Sequence, residues 1–252
     1  MADPLAVTFD LWQTLIVDQP GGAETRRRWR LQGAFDALNK AGFPATWEQV
    51  HNAYDGCLGV CQEVRGQGED VSFSGQIRIF LNQIQSGLTD RLTSETLAEI
   101  TETYRDAYFS CPLPAAPGSY EVLNDLQQRG VRLGLISNTG TTPGATFRQS
   151  LKSLGLLDYF DVLTFSDEVG LAKPSPRIFH LTLEQLGVTP GRAIHVGDAL
   201  EHDIAGAMAA GMGSLWINHG NGRSPDPAPD AAVGSMEQVL PELARLLGRL
   251  AD

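Results

Sequence analysis

The sequence predicts an α/β protein, a doubly wound and mostly parallel sheet interrupted after its first strand by a helical domain. Three observations carry this. From about residue 118 onward, short apolar runs alternate with amphipathic helical stretches, the pattern that builds strand-helix-strand units. A similar apolar run over residues 5–9 stands alone near the start of the chain and delivers Asp10; it reads as a strand buried on both faces, as in the middle of a parallel sheet. Between these regions, residues 22–110 keep helical spacing with no convincing alternating run, which marks an inserted helical domain.

Each element follows from its own stretch. In the insertion, helices are expected over roughly 23–41, 47–65, 73–86 and 94–110, separated by Gly42-Phe43-Pro44 and by polar loops at 66–70 and 87–90. A stiff, proline-rich linker from Cys111 through Pro112, Pro114 and Pro117 returns the chain. Four further strands are expected, over 131–137, around 161–165, and over 193–196 and 214–218, with helices near 118–129, 144–155, 177–186 and 201–210. The Pro-, Gly- and Asp-rich stretch 220–230 reads as a loop before a closing helix near 235–249.

Composition narrows the function. A chain of 252 residues with 42% hydrophobic residues can bury a large core. No uninterrupted apolar stretch reaches the roughly 18 to 20 residues a bilayer demands. The first residues carry no basic segment followed by a cleavable apolar one, so a cytoplasmic protein is expected. The net charge of −11 argues against a broad nucleic-acid surface. The run Arg26-Arg27-Arg28 with Arg30 is the local exception and reads as a solvated helix face. Cys57, Cys61 and Cys111 are an odd number, so free thiols rather than a disulfide framework are expected. Cys57 and Cys61 lack the second Cys or His pair that a soft-metal site would need.

Four polar groupings each follow a different strand: Asp10, Ser137 with Asn138, Lys173, and Asp198 with Asp203. Parallel strands share one carboxyl edge, where open α/β sheets bind ligands, so these groups are expected to meet in one crevice. Carboxylates brought together repel, and a hard divalent cation relieves that cost; Mg²⁺, which takes few protein oxygens, fits best. Lys173 is placed to meet an anionic substrate. Each group alone has an ordinary explanation as a turn residue, a helix cap or dipole partner, or an exposed cation. Convergence of Asp10 with Asp198 is what separates the two readings.

These motifs resemble the haloacid dehalogenase (HAD) superfamily of hydrolases, mostly phosphatases, in the branch with a helical cap after the first strand. Asp10 with Thr14 is similar to the first motif, Ser137-Asn138 to the second, Lys173-Pro174 to the third, and Gly197-Asp198 with Asp203 to the fourth. The resemblance implies a Rossmann-like core over residues 1–18 and 112–252 with a cap over 19–111. It implies that Asp10 is the nucleophile, that Ser137, Asn138 and Lys173 hold the phosphoryl group, and that Asp10, Asp198 and the Trp12 backbone carbonyl bind Mg²⁺, with Asp203 orienting that metal site. The implied substrate is a small phosphorylated molecule. The pattern breaks at Trp12, where family phosphatases carry a second aspartate as acid and base; indole cannot shuttle protons at neutral pH. The break leaves three readings: a Mg²⁺-dependent phosphatase favouring good leaving groups, a 2-haloacid dehalogenase, or a binding protein on the same fold. Dehalogenases of this kind carry an aromatic residue at the position of Trp12, need no metal and hold the substrate carboxylate with a cap arginine, for which Arg26 to Arg30 are candidates. Trp29, Phe35, Trp47, Tyr54 and Arg65 are expected mainly in the core of the insertion, or else along its pocket.

Overall fold

A computed structural model of the chain describes residues 4–220, 226 and 228–251. Six strands form the sheet: β1 Ala6–Phe9, β2 Arg132–Ser137, β3 Val162–Phe165, β4 Ala193–Gly197, β5 Gly213–Ile217 and β6 Ala231–Val233. All neighbours are parallel, in the order β3-β2-β1-β4-β5-β6. The first strand therefore lies inside the sheet, which is why all four of its residues are buried. Phe9 is in register with both Leu135 and Val196. That register carries Asp10, Ser137 and Asp198 out at nearly the same level along the sheet's carboxyl edge.

The sheet has one strand more than the five expected. β6 is a three-residue edge strand whose middle residue, Ala232, is exposed, too short to leave a periodic signal. Pairing with β5 creates it, and Asp230 fastens it by accepting a hydrogen bond from the Ser214 amide at 2.9 Å. The loop expected over 220–230 lies largely outside the described residues.

Helices cover both faces, as a doubly wound sheet requires. α1 Gly22–Lys40, α2 Trp47–Gly66, α3 Phe73–Ile84 and α4 Ser94–Asp106 fill the insertion. Their starts are set by local chemistry. Thr46 and Gln49 form a reciprocal capping box on α2, while Ser72 and Thr93 cap α3 and α4. The fourth helix stops short of the expected 110, and Ala107–Ser110 tightens into a 3₁₀ turn. Apolar residues of these helices, among them Leu31, Val50, Phe80 and Ile100, share one cluster.

The other helices are α5 Ser119–Gln128, α6 Gly144–Ser153, α7 Ser166–Val169, α8 Pro176–Leu186, α9 Ala205–Ala209 and α10 Val239–Ala251. α5, α6 and α10 pack with Val7 and Phe9 on one face of the sheet, and α8 and α9 with Ala6 and Ile136 on the other. A π-helical turn over Leu200–Ile204 leads into α9. Cys57 and Cys61 are buried free thiols in the insertion's cluster, and Cys111 is a half-buried one. No helix among the described residues is long and apolar enough to cross a membrane.

Two backbone bonds clip the insertion to the segment that enters Lys173. Asp70 donates its amide to the Gly170 carbonyl at 3.2 Å, and Ala172 donates to Gly68 at 3.1 Å. Asp70 adds a side-chain link, accepting from Ser166 Oγ at 2.5 Å while paired with Arg65 at 2.9 Å.

Candidate active site

The carboxylates of Asp10, Asp198 and Asp203 each place an oxygen within 4.8 Å of the others. Strands β1 and β4, adjacent in the sheet and ending level, bring them together although they are distant in sequence. Lys173 sits between two of them, its Nζ donating to Asp10 Oδ1 at 2.5 Å and to Asp203 Oδ1 at 2.6 Å. Only 2% of this lysine is exposed. A buried ammonium needs such partners, since an unpaired one is strongly disfavoured.

The surroundings hold Lys173 from its backbone as well. Asn138 accepts from the Lys173 amide and donates to the Lys173 carbonyl, both at 2.9 Å. Its side chain thus braces the lysine segment instead of offering a free carboxamide. Ser137, at the end of β2, is buried. Asp203 likewise differs from a simple metal-orienting acid: one oxygen accepts from Lys173 and from His195 Nε2 at 3.2 Å, the other from the Ala199 amide at 2.9 Å. His195 Nδ1 lies 2.8 Å from Thr8 Oγ1, and burial lowers the imidazole below its ordinary value, which favours the neutral ring. A Cβ on Gly197 would lie 2.3 Å from Asp203 Cγ, so glycine is what lets this carboxylate reach the lysine.

One ammonium cannot neutralise three acids, and the charge divides unequally. Burial would raise Asp203, but Lys173 and His195 outweigh it and hold its carboxyl well below the usual range. Burial pushes Asp10 up from 3.8 to about 7, with Lys173 opposing and Asp203 and Asp198 reinforcing. Asp198 is raised to about 6 by burial and by Asp203. Burial alone would lower Lys173, yet Asp10 and Asp203 hold it above the ordinary lysine value. The cluster therefore resists full ionisation of Asp10 and Asp198, and a hard oxygen-seeking cation is the group that would let both give up their protons.

A cavity of about 240 Å³ is lined by Trp12, Arg26, Arg30, Tyr54 and residues 138–142. Trp12 is fixed edge-on against Phe147, with ring centroids 6.3 Å apart, and beneath the Arg26 guanidinium at 5.1 Å. Neither a carboxylate nor an imidazole lines the cavity among the described residues. Thr14 is buried with its hydroxyl free of protein partners.

The arginine run is not the solvated face its composition suggested. Arg28 is exposed and Arg27 pairs with Asp55, but Arg26 and Arg30 are buried, 2% and 3% exposed. Their spacing of four places them on one side of α1, and that side faces the cavity. This spacing was the signal available in the sequence. Tyr54 also lines the cavity, whereas Trp29 is 57% exposed and Trp47 packs on Phe35. His195 and the Asp70–Ser166 link left no signal, because a lone histidine in an apolar strand and an acid in a polar loop are ordinary.

A parallel sheet whose carboxyl edge gathers an aspartate cluster around a buried lysine is an arrangement suited to hydrolytic chemistry. A family profile described as haloacid dehalogenase-like hydrolase matches residues 4–211, and the chain belongs to that family. It is 33% identical over 215 residues to glyceraldehyde 3-phosphate phosphatase of Methanothermobacter thermautotrophicus, covering 84% of this chain and 85% of that one. The fold matches the crystal structure of a HAD phosphatase from Thermococcus onnurineus with TM-score 0.63 and 27% identity, over 95% of this chain and 97% of that one. It also matches a 2-haloacid dehalogenase from Pseudomonas syringae with TM-score 0.69 and 26% identity, over 96% and 99%.

Proposed function

We propose that this hydrolase cleaves small phosphomonoesters by phosphoryl transfer to Asp10, with residues 19–111 acting as a cap over the core. The observation that carries this reading is the convergence of Asp10, Asp198 and Lys173 within one buried, over-acidic cluster. Asp10 Oδ attacks phosphorus, the bond from phosphorus to the ester oxygen breaks, and the leaving group departs with that electron pair. Water then attacks the aspartyl phosphate at phosphorus, releasing inorganic phosphate and restoring the carboxylate. Lys173 neutralises the nucleophile and the phosphoryl oxygens throughout, the interaction that matters most as charge shifts. Ser137 and the main chain beside Asn138 supply further donors to the phosphoryl group, while the Asn138 carboxamide and Asp203 keep Lys173 in place.

The donor set suits Mg²⁺, which Asp10, Asp198 and the Trp12 backbone carbonyl would hold; when bound it would supply positive charge to the nucleophile and the transferring group. With Trp12 where an acid would stand and no substitute in the cavity lining, the leaving group departs unprotonated. Aryl and acyl phosphates are therefore favoured over alkyl phosphates, since loss of a positioned acid costs roughly 10² to 10⁴ in rate.

The test is phosphate release from p-nitrophenyl phosphate with Mg²⁺, with chelator, and in Asp10→Asn. Release that stops with chelator and falls by at least about 10³-fold in the variant is expected; undiminished turnover in Asp10→Asn would refute the nucleophile assignment. A dehalogenase is the second reading, favoured by Trp12 together with the P. syringae structural match. Halide release from 2-chloropropionate in the presence of chelator would decide for it.

A further inference from the structure

The side chain of Asp70 is fully buried although the residue belongs to the insertion and not to the core. One oxygen accepts from Arg65 Nε at 2.9 Å and from the Val71 amide at 2.8 Å; the other accepts from Ser166 Oγ at 2.5 Å. A carboxylate paired with arginine offers only acceptors, so the Ser166 hydroxyl donates its proton to Asp70. Its lone pairs are then left for the core, where the Thr139 amide donates to it at 2.9 Å. Asp70, Ser166 and Thr139 thus form a directed chain from the insertion into the loop after β2. Arg65 adds a second strut to that loop, donating to the Gly140 carbonyl at 3.2 Å.

The same stretch of the insertion grips the segment that enters Lys173. Glu69 bridges Leu171 in antiparallel fashion, and the amides of Asp70 and Ala172 donate to the carbonyls of Gly170 and Gly68. The approach is tight. Gly68 has a φ of +80°, and a Cβ there would lie 2.8 Å from Ser175 Cβ, two residues beyond Lys173. Residues 65–70 therefore touch both segments that carry the proposed phosphoryl donors. Asn138 joins those segments from within the core, and Asp70 joins them from outside it.

From this arrangement we infer that Asp70 is a positioning residue: through Ser166 it fixes the 138–142 loop, and through its backbone it fixes the approach to Lys173. The inference rests on the phosphoester reading of the cleft, and it gives Asp70 a role through other residues, with no contact to substrate. A buried carboxylate is a demanding way to fasten an insertion to a core, because its charge must be answered on both oxygens. An apolar contact would fasten the two without specifying where a loop sits, whereas hydrogen bonds are directional. Position matters here because a displacement near 1 Å at a reacting centre can lose about 10²-fold in rate.

The test is hydrogen exchange of the ligand-free protein, read by mass spectrometry, beside kinetics on p-nitrophenyl phosphate. The proteins are wild type, Asp70→Ala, Asp70→Asn, Ser166→Ala and the double variant of Asp70→Ala with Ser166→Ala. Asp70→Ala should speed exchange about 10-fold in peptides covering 138–142 and 170–173, the effect of losing one charge-assisted hydrogen bond, while peptides of β1 and β4 exchange as in wild type. It should lower kcat by about 10-fold or more and raise KM by less, since Lys173 acts most strongly as charge shifts. Asp70→Asn, which keeps an acceptor for Ser166, should retain part of the rate. The double variant should be no slower than the slower single one, because both substitutions cut the same chain. Unchanged exchange in the two core segments overturns the inference, as do multiplicative rate losses in the double variant. Faster exchange that spreads through β1 and β4 overturns it too, by assigning Asp70 to general stability. Faster exchange confined to 138–142 and 170–173, beside a wild type that releases no phosphate, counts against the phosphoester reading alone and leaves the Asp70 chain standing.

Discussion

Trp12 and Asp10 stand two residues apart and enter different surroundings. Asp10 is drawn into the lysine and carboxylate cluster, while the Trp12 ring lies between Phe147 and Arg26 in the wall of the cavity. On the proposed mechanism, replacing the indole by a carboxyl group would supply an acid at the leaving-group side, and it removes an aromatic wall. Trp12→Asp should raise kcat/KM on alkyl phosphates by about 10- to 100-fold relative to p-nitrophenyl phosphate. Steady-state kinetics on both esters checks this, and an equal change on the two would show that no proton transfer had been restored. The meeting of Asp10, Lys173 and Asp198 was legible because each closes or follows an apolar strand. The burial of Arg26 and Arg30 was not legible, because it depends on which way α1 turns against the rest of the protein.

At the scale of elements, the site depends on how closely β4 and the π-helical turn after it approach each other. Gly197 ends β4, and the space its missing side chain leaves is filled by Asp203. Asp203 cannot step aside, since Lys173, His195 and the Ala199 amide all hold it. Gly197→Ala should therefore destabilise the protein by about 1 to 3 kcal/mol, the usual cost of overpacking, and should impair turnover by displacing Lys173. Urea denaturation together with a phosphatase assay measures both. Normal activity in this variant would mean that Asp203 is not needed to hold the lysine. The strands and caps of this region were readable from local pattern, whereas the short β6 exists only because β5 offers it an edge.

For the whole molecule, the acidic cluster sets how stability varies with pH when no metal is bound. Folded Asp10 keeps its proton up to about 7 and folded Asp198 up to about 6, while in the unfolded chain both release it near 3.8. Across that window the folded state binds more protons, so stability falls as pH rises. His195, lowered by burial, acts in the opposite sense below its ordinary 6.5, but it is one group against two. Asp203, held below its ordinary 3.8, adds its dependence only in more acidic solution. Chelated protein should thus lose thermal stability between about pH 4.5 and 6, and Mg²⁺ should restore progressively more of it as the pH rises, because it binds the deprotonated pair. Melting temperatures across this range with and without Mg²⁺ test the sign, and a rise with pH in chelator would contradict the raised carboxyl values.

The sequence by itself determined the alternation of strand and helix, the insertion after β1, and the four polar groupings at strand ends, because strand periodicity, turn chemistry and capping act over a few neighbouring residues. The tertiary structure decided which of those groups touch. Lys173 became a buried bridge between Asp10 and Asp203, Asn138 a brace for its backbone, and Arg30 a buried cation held by Thr142. Each of these outcomes turns on distances between segments far apart in the chain, and such distances are set by sheet order and by helix packing, which no local pattern encodes.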